Sequence, residues 1–176
     1  MIKKDIQTEL NKLKQKEYIN KDLVAKFENR LNEDIPLLRD EHSPNHFCVF
    51  FIPYHKKTNS VFIGHHVKAN LWIPPGGHVD TNETLTGTAI REIYEELQYK
   101  ANPRELEIFN ITTIDIKNNP VCNKHWDFYY LFHIKTKLDF TFDKREFYKA
   151  EWVTVDEAHL RMRKHRSYRT VLLPLI

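Results

Sequence analysis

The sequence predicts an α/β (α+β) fold in which helices cover a mixed β-sheet on both sides. The chain has 176 residues, a length that suits a single substantial core. An apolar fraction of 41% argues against disorder, and a charged fraction of 29% argues against a membrane protein. Helical and strand-like periodicities follow one another in the order helices, strands, helix, strands, helix. A sheet sandwiched between helices is the economical arrangement of these elements.

Two amphipathic helices are predicted between residues 5 and 31. Apolar residues recur at helical spacing in the first, and Asn20 or Asp22 can cap the second. We therefore divide the chain into an N-terminal helical arm, residues 1–44, and a following domain, residues 45–176. The arm is expected to pack over that domain, and a homodimer contact is the alternative interpretation.

Strand patterns dominate the next part of the chain. Residues 46–52 and 60–63 form a predicted hairpin, and a short apolar piece at 71–73 runs into a Pro-Pro-Gly-Gly sequence that we interpret as a loop. Later strands are predicted at residues 106–114, 127–136 and 151–155.

Two further helices are predicted. From Thr84 to Leu97 the period is helical, with an inward apolar stripe. Asp156 is expected to cap a last helix that carries the basic stretch from Arg161 to Arg166. That stretch resembles a nucleic-acid-binding patch, but a solvated helix face is the commoner outcome, so a nucleic-acid partner is disfavoured.

The predicted central helix carries three carboxylates and one guanidinium. Glu92, Glu95 and Glu96 stand at positions i, i+3 and i+4, so they are expected to share one helix face, away from most of the apolar stripe. Three such carboxylates repel one another and need cations, and hard oxygen ligands select Mg²⁺ or Mn²⁺ over zinc. Arg91 is expected to orient one carboxylate. A solvated acidic face would be preferred if the cluster stood alone.

A glycine-rich turn precedes that helix and favours a functional interpretation. Gly76 and Gly77 permit close approach of the backbone, which can hold a metal or phosphate oxygens beside the carboxylates. His78 can donate to a substrate phosphate when its imidazole is protonated, and a loop-packing role is the alternative. A carboxylate-held metal can bridge phosphate oxygens and activate water.

The spacing of these residues resembles the Nudix box. Gly77 is followed after five residues by Glu83, and after seven more by Arg91-Glu92-Ile93-Tyr94-Glu95-Glu96. The box resemblance runs from Gly77 to Tyr99, with Gln98 in place of the usual glycine. That exchange is expected either to strain the helix end, at a cost of about 1 kcal/mol, or to extend the helix by a turn.

The resemblance implies a Nudix-type α/β/α sandwich and hydrolysis of a diphosphate linkage in a nucleoside diphosphate derivative or related nucleotide. By position, the resemblance implies that Glu92, Glu95 and Glu96 are the metal ligands. Glu83 would assist them through water or hydrogen bonds, and the backbone of Gly76 or Gly77 would contact the metal or the substrate. Glu146 resembles an additional acid that family members draw from outside the box, with a solvated loop glutamate as the alternative. Mg²⁺ (or Mn²⁺) is the implied cofactor.

The remaining polar residues favour ordinary structural roles. Cys48 and Cys122 are interpreted as reduced thiols, with Cys48 in a strand core. Asp127 is expected at a turn or in an edge strand. Zinc-site spacing is missing from a set of histidines that we therefore place on the surface or in loops: His65, His66, His125 and His133.

The composition and the motif together predict a cytoplasmic enzyme that acts on a small-molecule nucleotide. No stretch of the sequence has the length and apolar character of a signal peptide or membrane span. Two other functions stay open: a non-catalytic nucleotide-sensing Nudix module, and an RNA-end processing pyrophosphohydrolase.

Overall fold

In the part of the chain that the structure describes, four α-helices and seven strands form the main elements, with short 3-10 turns between them. The computed structural model describes residues 1–116, 119, 121–165 and 167–176. Its helices are α1 (Ile2–Lys14), α2 (Lys21–Asn32), α3 (Leu85–Leu97) and α4 (Val155–Met162). Its strands are β1 (Asn45–His55), β2 (Ser60–His66), β3 (Leu71–Ile73), β4 (Gly76–His78), β5 (Leu106–Asp115), β6 (Lys124–His133) and β7 (Phe147–Thr154).

The strands form one mixed sheet, as predicted. Its order is β3-β2-β1-β6-β5, with β4 paired to β1 and β7 paired to β2. The pairing of β1 with β6 is parallel, and the other pairings are antiparallel. The long parallel contact places β1 and β6 at the centre of the molecule, where side chains on both faces are buried.

The alternation of side chains along β1 divides the core between two layers of helices. Phe47 and Val49 pack in a cluster with apolar residues of α1, α2 and α3. Cys48, Phe50 and Ile52 pack instead with residues of α4 and the C-terminal segment. The expected α/β/α sandwich is therefore confirmed.

The N-terminal helices pack directly on this sheet and on α3. Both were predicted, and Asn20 caps α2 by accepting a hydrogen bond from the Leu23 N–H over 3.0 Å. The inward side chains of α1 are completely buried: Ile6, Leu10 and Leu13. Asp5 also accepts a hydrogen bond of 2.7 Å from the Leu85 N–H at the start of α3. The arm thus contributes to the core and to the first turn of α3.

Three local expectations were wrong. Residues 76–78 form strand β4, because Gly76, Gly77 and His78 pair with Phe50, Val49 and Cys48. The cap of α4 is Thr154, whose hydroxyl accepts from the Glu157 N–H, and the helix ends at Met162, before most of the basic stretch. Arg166 lies outside the described residues.

Asp127 also differs from its prediction. It is completely buried in β6, which lies between β1 and β5, so it occupies neither a turn nor an edge strand. Within the described part of the chain, we find no helix that combines the length and the apolar character needed to cross a bilayer.

Candidate active site

The site begins at β4, where a glycine is required. Gly76 has a φ of +148°, a conformation that L side chains rarely adopt. A Cβ atom at this position would also collide with the carbonyl oxygen of Val49 and the Cα of Phe50. The close approach of β4 to β1 therefore depends on Gly76.

Gly77 is needed for a different reason, because a side chain of α3 occupies the space where its own side chain would lie. A Cβ atom at Gly77 would collide with the carboxylate of Glu92. The absence of a side chain thus lets Glu92 lie directly against the backbone of β4. This contact joins the glycine pair to the helix that carries the carboxylates.

Local capping fixes the limits of α3. The Thr84 hydroxyl accepts a hydrogen bond of 3.0 Å from the Gly87 N–H at the start. At the end, Gln98 adopts the left-handed conformation with φ 52°, and its N–H donates to the Tyr94 carbonyl. Of the two outcomes predicted for Gln98, the helix extension is wrong and the left-handed end is the one observed.

The three carboxylates of α3 do not share one exposed face. Glu92 and Glu96 are each 7% exposed and lie toward the sheet, whereas Glu95 is exposed. The expectation that all three point away from the apolar side is therefore wrong for Glu92 and Glu96. Strand β4 provides the reason, because Gly77 leaves room for the Glu92 carboxylate and the Gly76 backbone hydrogen-bonds that of Glu96.

Arg91 connects most of the acidic residues of the site. It donates two hydrogen bonds to Glu83, from Nε over 2.8 Å and from Nη2 over 3.1 Å. Its Nη1 donates to Glu92 over 2.6 Å and to Glu95 over 3.2 Å. Its Nη2 also donates to the carbonyl oxygen of His78 over 2.9 Å. One guanidinium thus fixes α3 to β4 and to the preceding loop.

Glu83 holds this guanidinium in place. Burial raises the pKa of Glu83, but hydrogen bonds from Arg91, from the Thr88 hydroxyl and from the Asp80 N–H outweigh it, so the net pKa is lowered. The hydrogen bonds to Glu83 are the main reason why the pKa of Arg91 is raised. Both side chains therefore remain charged at neutral pH.

Glu92 and Glu96 experience the opposite environment. Burial raises the pKa of Glu92, an effect that Arg91 partly offsets. Burial raises the pKa of Glu96 well above its ordinary value, and the nearby charges of Glu92 and Glu146 raise it further. Among the described residues, Glu96 Oε2 is buried without a hydrogen-bond partner. A cation would compensate both the repulsion and the missing partner.

Glu146 lies near this end of α3. The loop before it is attached to the helix by a 3.0 Å hydrogen bond from the Asp143 N–H to the Glu96 carbonyl. The Glu146 carboxylate lies 3.4 Å from His66 Nε2 and 3.7 Å from Lys68 Nζ. The structure therefore places Glu146 within electrostatic reach of Glu96.

The His78 imidazole is turned toward other side chains. Its Nδ1 lies 2.9 Å from Nη1 of Arg39, and its ring lies 4.8 Å from that of His46, centre to centre. Burial, followed by the charge of Arg39, lowers the pKa of His78 to about 3. This argues against the protonated phosphate donor expected from the sequence. The His78 carbonyl, which binds Arg91, is the part of the residue that faces the carboxylates.

A second group of potential ligands was missed by the sequence analysis. His46, Cys48, His78 and His125 each offer a ligand atom, and these atoms all lie within 4.8 Å of one another. His125 was expected on the surface or in a loop, but it lies half-buried in the central strand β6. Spacing along the chain could not reveal the group, because its members come from three separate strands. Cys48 and Cys122 are both free thiols, and Cys48 lies in the core of β1, as predicted; Cys122 is buried as well.

The family of this chain follows from the comparison with known families. The NUDIX domain family matches residues 44–173, which include the whole sheet and α3. The chain therefore belongs to the Nudix family, and the resemblance inferred from its box is confirmed.

Curated relatives share a short part of this chain. It is 43% identical over 37 residues to the m7GpppN-mRNA hydrolase NUDT17 of Danio rerio, a match that spans 21% of this chain and 12% of the relative. For the protein of the same name from Bos taurus, the identity is 50% over 30 residues, or 17% of this chain and 10% of the relative. The matched stretch thus spans about a tenth of the length of these relatives.

Solved structures share the fold over a much larger part of the chain. An E. coli dihydroneopterin triphosphate pyrophosphohydrolase superposes with a TM-score of 0.61 at 16% identity, over 74% of this chain and 92% of its own. The MutT protein of Methanosarcina mazei Go1 gives 0.60 at 16% identity, over 81% and 95%. A C. elegans Ap4A hydrolase gives 0.53 at 18% identity, over 71% and 92%.

Proposed function

We propose that this protein hydrolyses a diphosphate linkage in a nucleoside diphosphate derivative or a related nucleotide, with Mg²⁺ or Mn²⁺ as cofactor. The observation that carries this proposal is the environment of Glu96. Its carboxylate is buried beside Glu92 and near Glu146, and its Oε2 lacks a hydrogen-bond partner in the described part of the chain. Carboxylates in this situation need a cation to remain ionised.

The donor set fits a hard divalent cation. Glu92, Glu95 and Glu96 would hold it, with Glu146 as a further oxygen ligand, and oxygen donors of this kind suit Mg²⁺ or Mn²⁺. Glu95 hydrogen-bonds Arg91, but its side chain is exposed and is therefore able to reorient. When bound, the metal neutralises negative charge on the phosphate oxygens and activates a water molecule.

The other residues of the box position these carboxylates. Glu83 binds two nitrogens of Arg91, and Arg91 in turn holds Glu92 against Gly77. Because the guanidinium fork is planar and its donors are fixed, this contact orients the carboxylate of Glu92 as well as balancing its charge. Glu83 and Arg91 therefore act as positioning residues.

The strand β4 provides the backbone part of the site. Gly76 and Gly77 lie directly beside Glu92 and Glu96, so their peptide groups are close enough to contact an anionic substrate. We assign His78 a backbone role here, because its carbonyl binds Arg91 while its imidazole faces the opposite side of the strand.

A substrate panel tests the proposal. Purified protein with Mg²⁺ or Mn²⁺ should release phosphate-containing products from at least one nucleoside diphosphate sugar, ADP-ribose, dinucleoside polyphosphate or nucleoside triphosphate. Hydrolysis should disappear with chelator and in Glu96→Gln, and it should persist in Glu17→Gln, which changes an exposed glutamate outside the site. Thermal stabilisation by nucleotides without any turnover would contradict hydrolysis and favour the sensing module.

A 5′-capped RNA belongs in the same panel for a specific reason. A cavity of about 490 Å³ on the C-terminal side is lined by basic residues, namely His159, Arg163, Lys164 and Arg169. A basic cavity suits a polyanion, and the short matches above are to proteins named mRNA hydrolases. Cap hydrolysis that exceeds hydrolysis of every small nucleotide would favour RNA-end processing. A small nucleotide is the leading substrate in this proposal. The predicted location of the protein is the cytoplasm. Sedimentation analysis would test whether it forms a homodimer.

A further inference from the structure

We propose that His46, Cys48, His78 and His125 form a second metal site, for one zinc-class ion, separate from the carboxylates of α3. We call these four residues the histidine–cysteine cluster. Their potential ligand atoms lie within 4.8 Å of one another, so small side-chain movements are enough to surround one ion. Three imidazoles and one thiol are ligands that zinc and similar transition metals prefer and that Mg²⁺ does not.

The sheet register builds this cluster. In the parallel pair, His46 lies opposite His125, and Cys48 lies opposite Asp127. In the antiparallel pair, Cys48 lies opposite His78. Because side chains alternate along a strand, His46 and Cys48 share the face of β1 that is directed away from α3. Three neighbouring strands thus present their ligands on one side of the sheet.

His46 is oriented as metal-binding histidines are. It is completely buried, and its Nδ1 lies 2.7 Å from the carbonyl oxygen of Ser43. A carbonyl oxygen only accepts, so Nδ1 carries the proton and the lone pair is on Nε2. Such a bond from the outer ring nitrogen to a carbonyl fixes the tautomer of a metal ligand. The lone pair of Nε2 faces the thiol of Cys122, at 3.5 Å from its sulfur.

His125 lies beside the carboxyl group of Asp127, although the two are not hydrogen-bonded. Its Nε2 lies 2.7 Å from the Cys122 sulfur, and its Nδ1 lies 4.0 Å from Oδ1 of Asp127. Asp127 is completely buried, and its Oδ1 lacks a hydrogen-bond partner in the described ranges. A small rotation of the His125 ring would supply that partner. In many zinc sites a carboxylate accepts a hydrogen bond from the ring nitrogen of a histidine ligand that does not bind the metal.

His78 provides the third imidazole, and Arg39 competes for it. The buried Nε2 of His78 has no partner among the residues described. Its Nδ1 lies 2.9 Å from Nη1 of Arg39, and because a guanidinium only donates, Nδ1 is the acceptor. Arg39 is exposed and can therefore swing away. Its charge repels a cation, so metal binding requires the Arg39–His78 contact to open.

The protonation states of His46 and His125 suit this site, whereas that of Cys48 must change on binding. Burial lowers the pKa of His46 and lowers that of His125 to about 4, so both rings are neutral ligands at pH 7. Burial raises the pKa of the Cys48 thiol, so a metal must displace its proton on binding. With four protein ligands the ion would be closed to substrate, which is typical of a structural site.

Cobalt titration tests this site directly. After treatment with chelator, the protein should bind one Co²⁺ with intense visible bands of tetrahedral coordination and a thiolate-to-cobalt charge-transfer band. We expect Cys48→Ala to remove the charge-transfer band and His125→Gln to weaken binding at least tenfold. The matched control His133→Gln should keep both signals. Cys122→Ala removes a thiol that contacts His46 and His125 but is not one of the four ligands, so it should keep the charge-transfer band. Loss of the charge-transfer band in Cys122→Ala instead of Cys48→Ala would overturn the four-residue set.

Two further variants keep the test decisive even if a core variant unfolds. Glu96→Gln should retain cobalt binding, which separates this site from the carboxylates; loss of binding in that variant would refute a second site. Arg39→Gln changes an exposed residue and should tighten Co²⁺ and Zn²⁺ binding severalfold, since a competing cation is removed. Unchanged or weaker binding in Arg39→Gln, or the absence of tetrahedral bands in the wild-type protein, would refute the proposal.

Discussion

Two groups of potential ligands lie back to back across strand β4. We call Glu92, Glu95 and Glu96 the carboxylate cluster. Gly77 faces Glu92 of that cluster, and the next residue, His78, extends its imidazole toward His46 and His125. Adjacent residues of a strand point to opposite faces, so one short strand separates a site of hard oxygen donors from a site of nitrogen and sulfur donors.

The two clusters differ in how they are held. A single guanidinium and one helix hold the carboxylate cluster, and part of it is exposed. The histidine–cysteine cluster is held by backbone pairing of three strands and is mostly buried. An exposed cluster can open toward a substrate, whereas a buried one suits a structural role. Substitutions in one cluster should therefore have little effect on the other.

The largest expected effect is that of Glu96→Gln on turnover. Hydrolysis should fall by several orders of magnitude, because a buried carboxylate needed for the cation is lost. Without metal the melting temperature should stay equal or rise, since the substitution replaces a buried carboxyl group whose ionisation is opposed by burial and by the neighbouring carboxylates. Steady-state kinetics and thermal unfolding, with Glu17→Gln as control, measure both. Wild-type turnover would contradict the assignment of Glu96.

Arg91→Lys should have the next largest effect. Lysine keeps the charge but cannot bind Glu83 through two nitrogens and Glu92 at once, so turnover should fall by about 10–100-fold. Mn²⁺ affinity, measured by titration calorimetry, should fall with it, while Co²⁺ binding by the histidine–cysteine cluster should not change. An equal loss at both clusters would show that they are coupled.

Removal of the Asp5 carboxylate should destabilise α3 from outside the box. We expect Asp5→Ala to lower the free energy of unfolding by about 1 kcal/mol, because the Leu85 N–H loses its acceptor. Urea denaturation gives this value, and Lys3→Ala, an exposed substitution in the same helix, is the control. If both variants lose the same stability, the hydrogen bond from Leu85 contributes nothing.

Gln98→Gly should give the smallest effect, and it should be stabilising. Relief of the left-handed conformation at φ 52° should exceed the added entropy of the unfolded chain, for a net gain of about 0.5–1 kcal/mol. Turnover and Co²⁺ binding should not change, because Gln98 follows the helix and belongs to neither cluster. Denaturant midpoints are sufficient to measure the difference, and a loss of stability would show that Gln98 is not strained.

The carboxylate cluster could be found from the sequence because its residues are neighbours on one helix. Helical spacing predicted α3, and Thr84 and Leu97 proved to be its flanking cap and last residue. The direction of Glu92 could not be predicted, since it depends on the space that Gly77 leaves in another element. Gln98 left two outcomes open because local sequence does not decide between a strained helix end and a longer helix.

The histidine–cysteine cluster could not be found in this way. Its geometry depends on the parallel register between β1 and β6, which are distant in the chain. The short strand β4 was also missed, because three residues are too few for a periodic pattern and two of them are glycines. The prediction for Asp127 was wrong because long-range pairing decides which strands lie beside β6.

The hydrogen bond between Asp5 and Leu85 has a consequence for how much of the chain is needed for activity. The stretch that matches the family starts at residue 44. The Leu85 N–H at the start of α3, however, donates its hydrogen bond to Asp5, which lies outside that stretch. We therefore expect a shortened protein that keeps every family-matched residue to work less well than the full chain. The smallest fully active unit should include Asp5 and the helix that carries it.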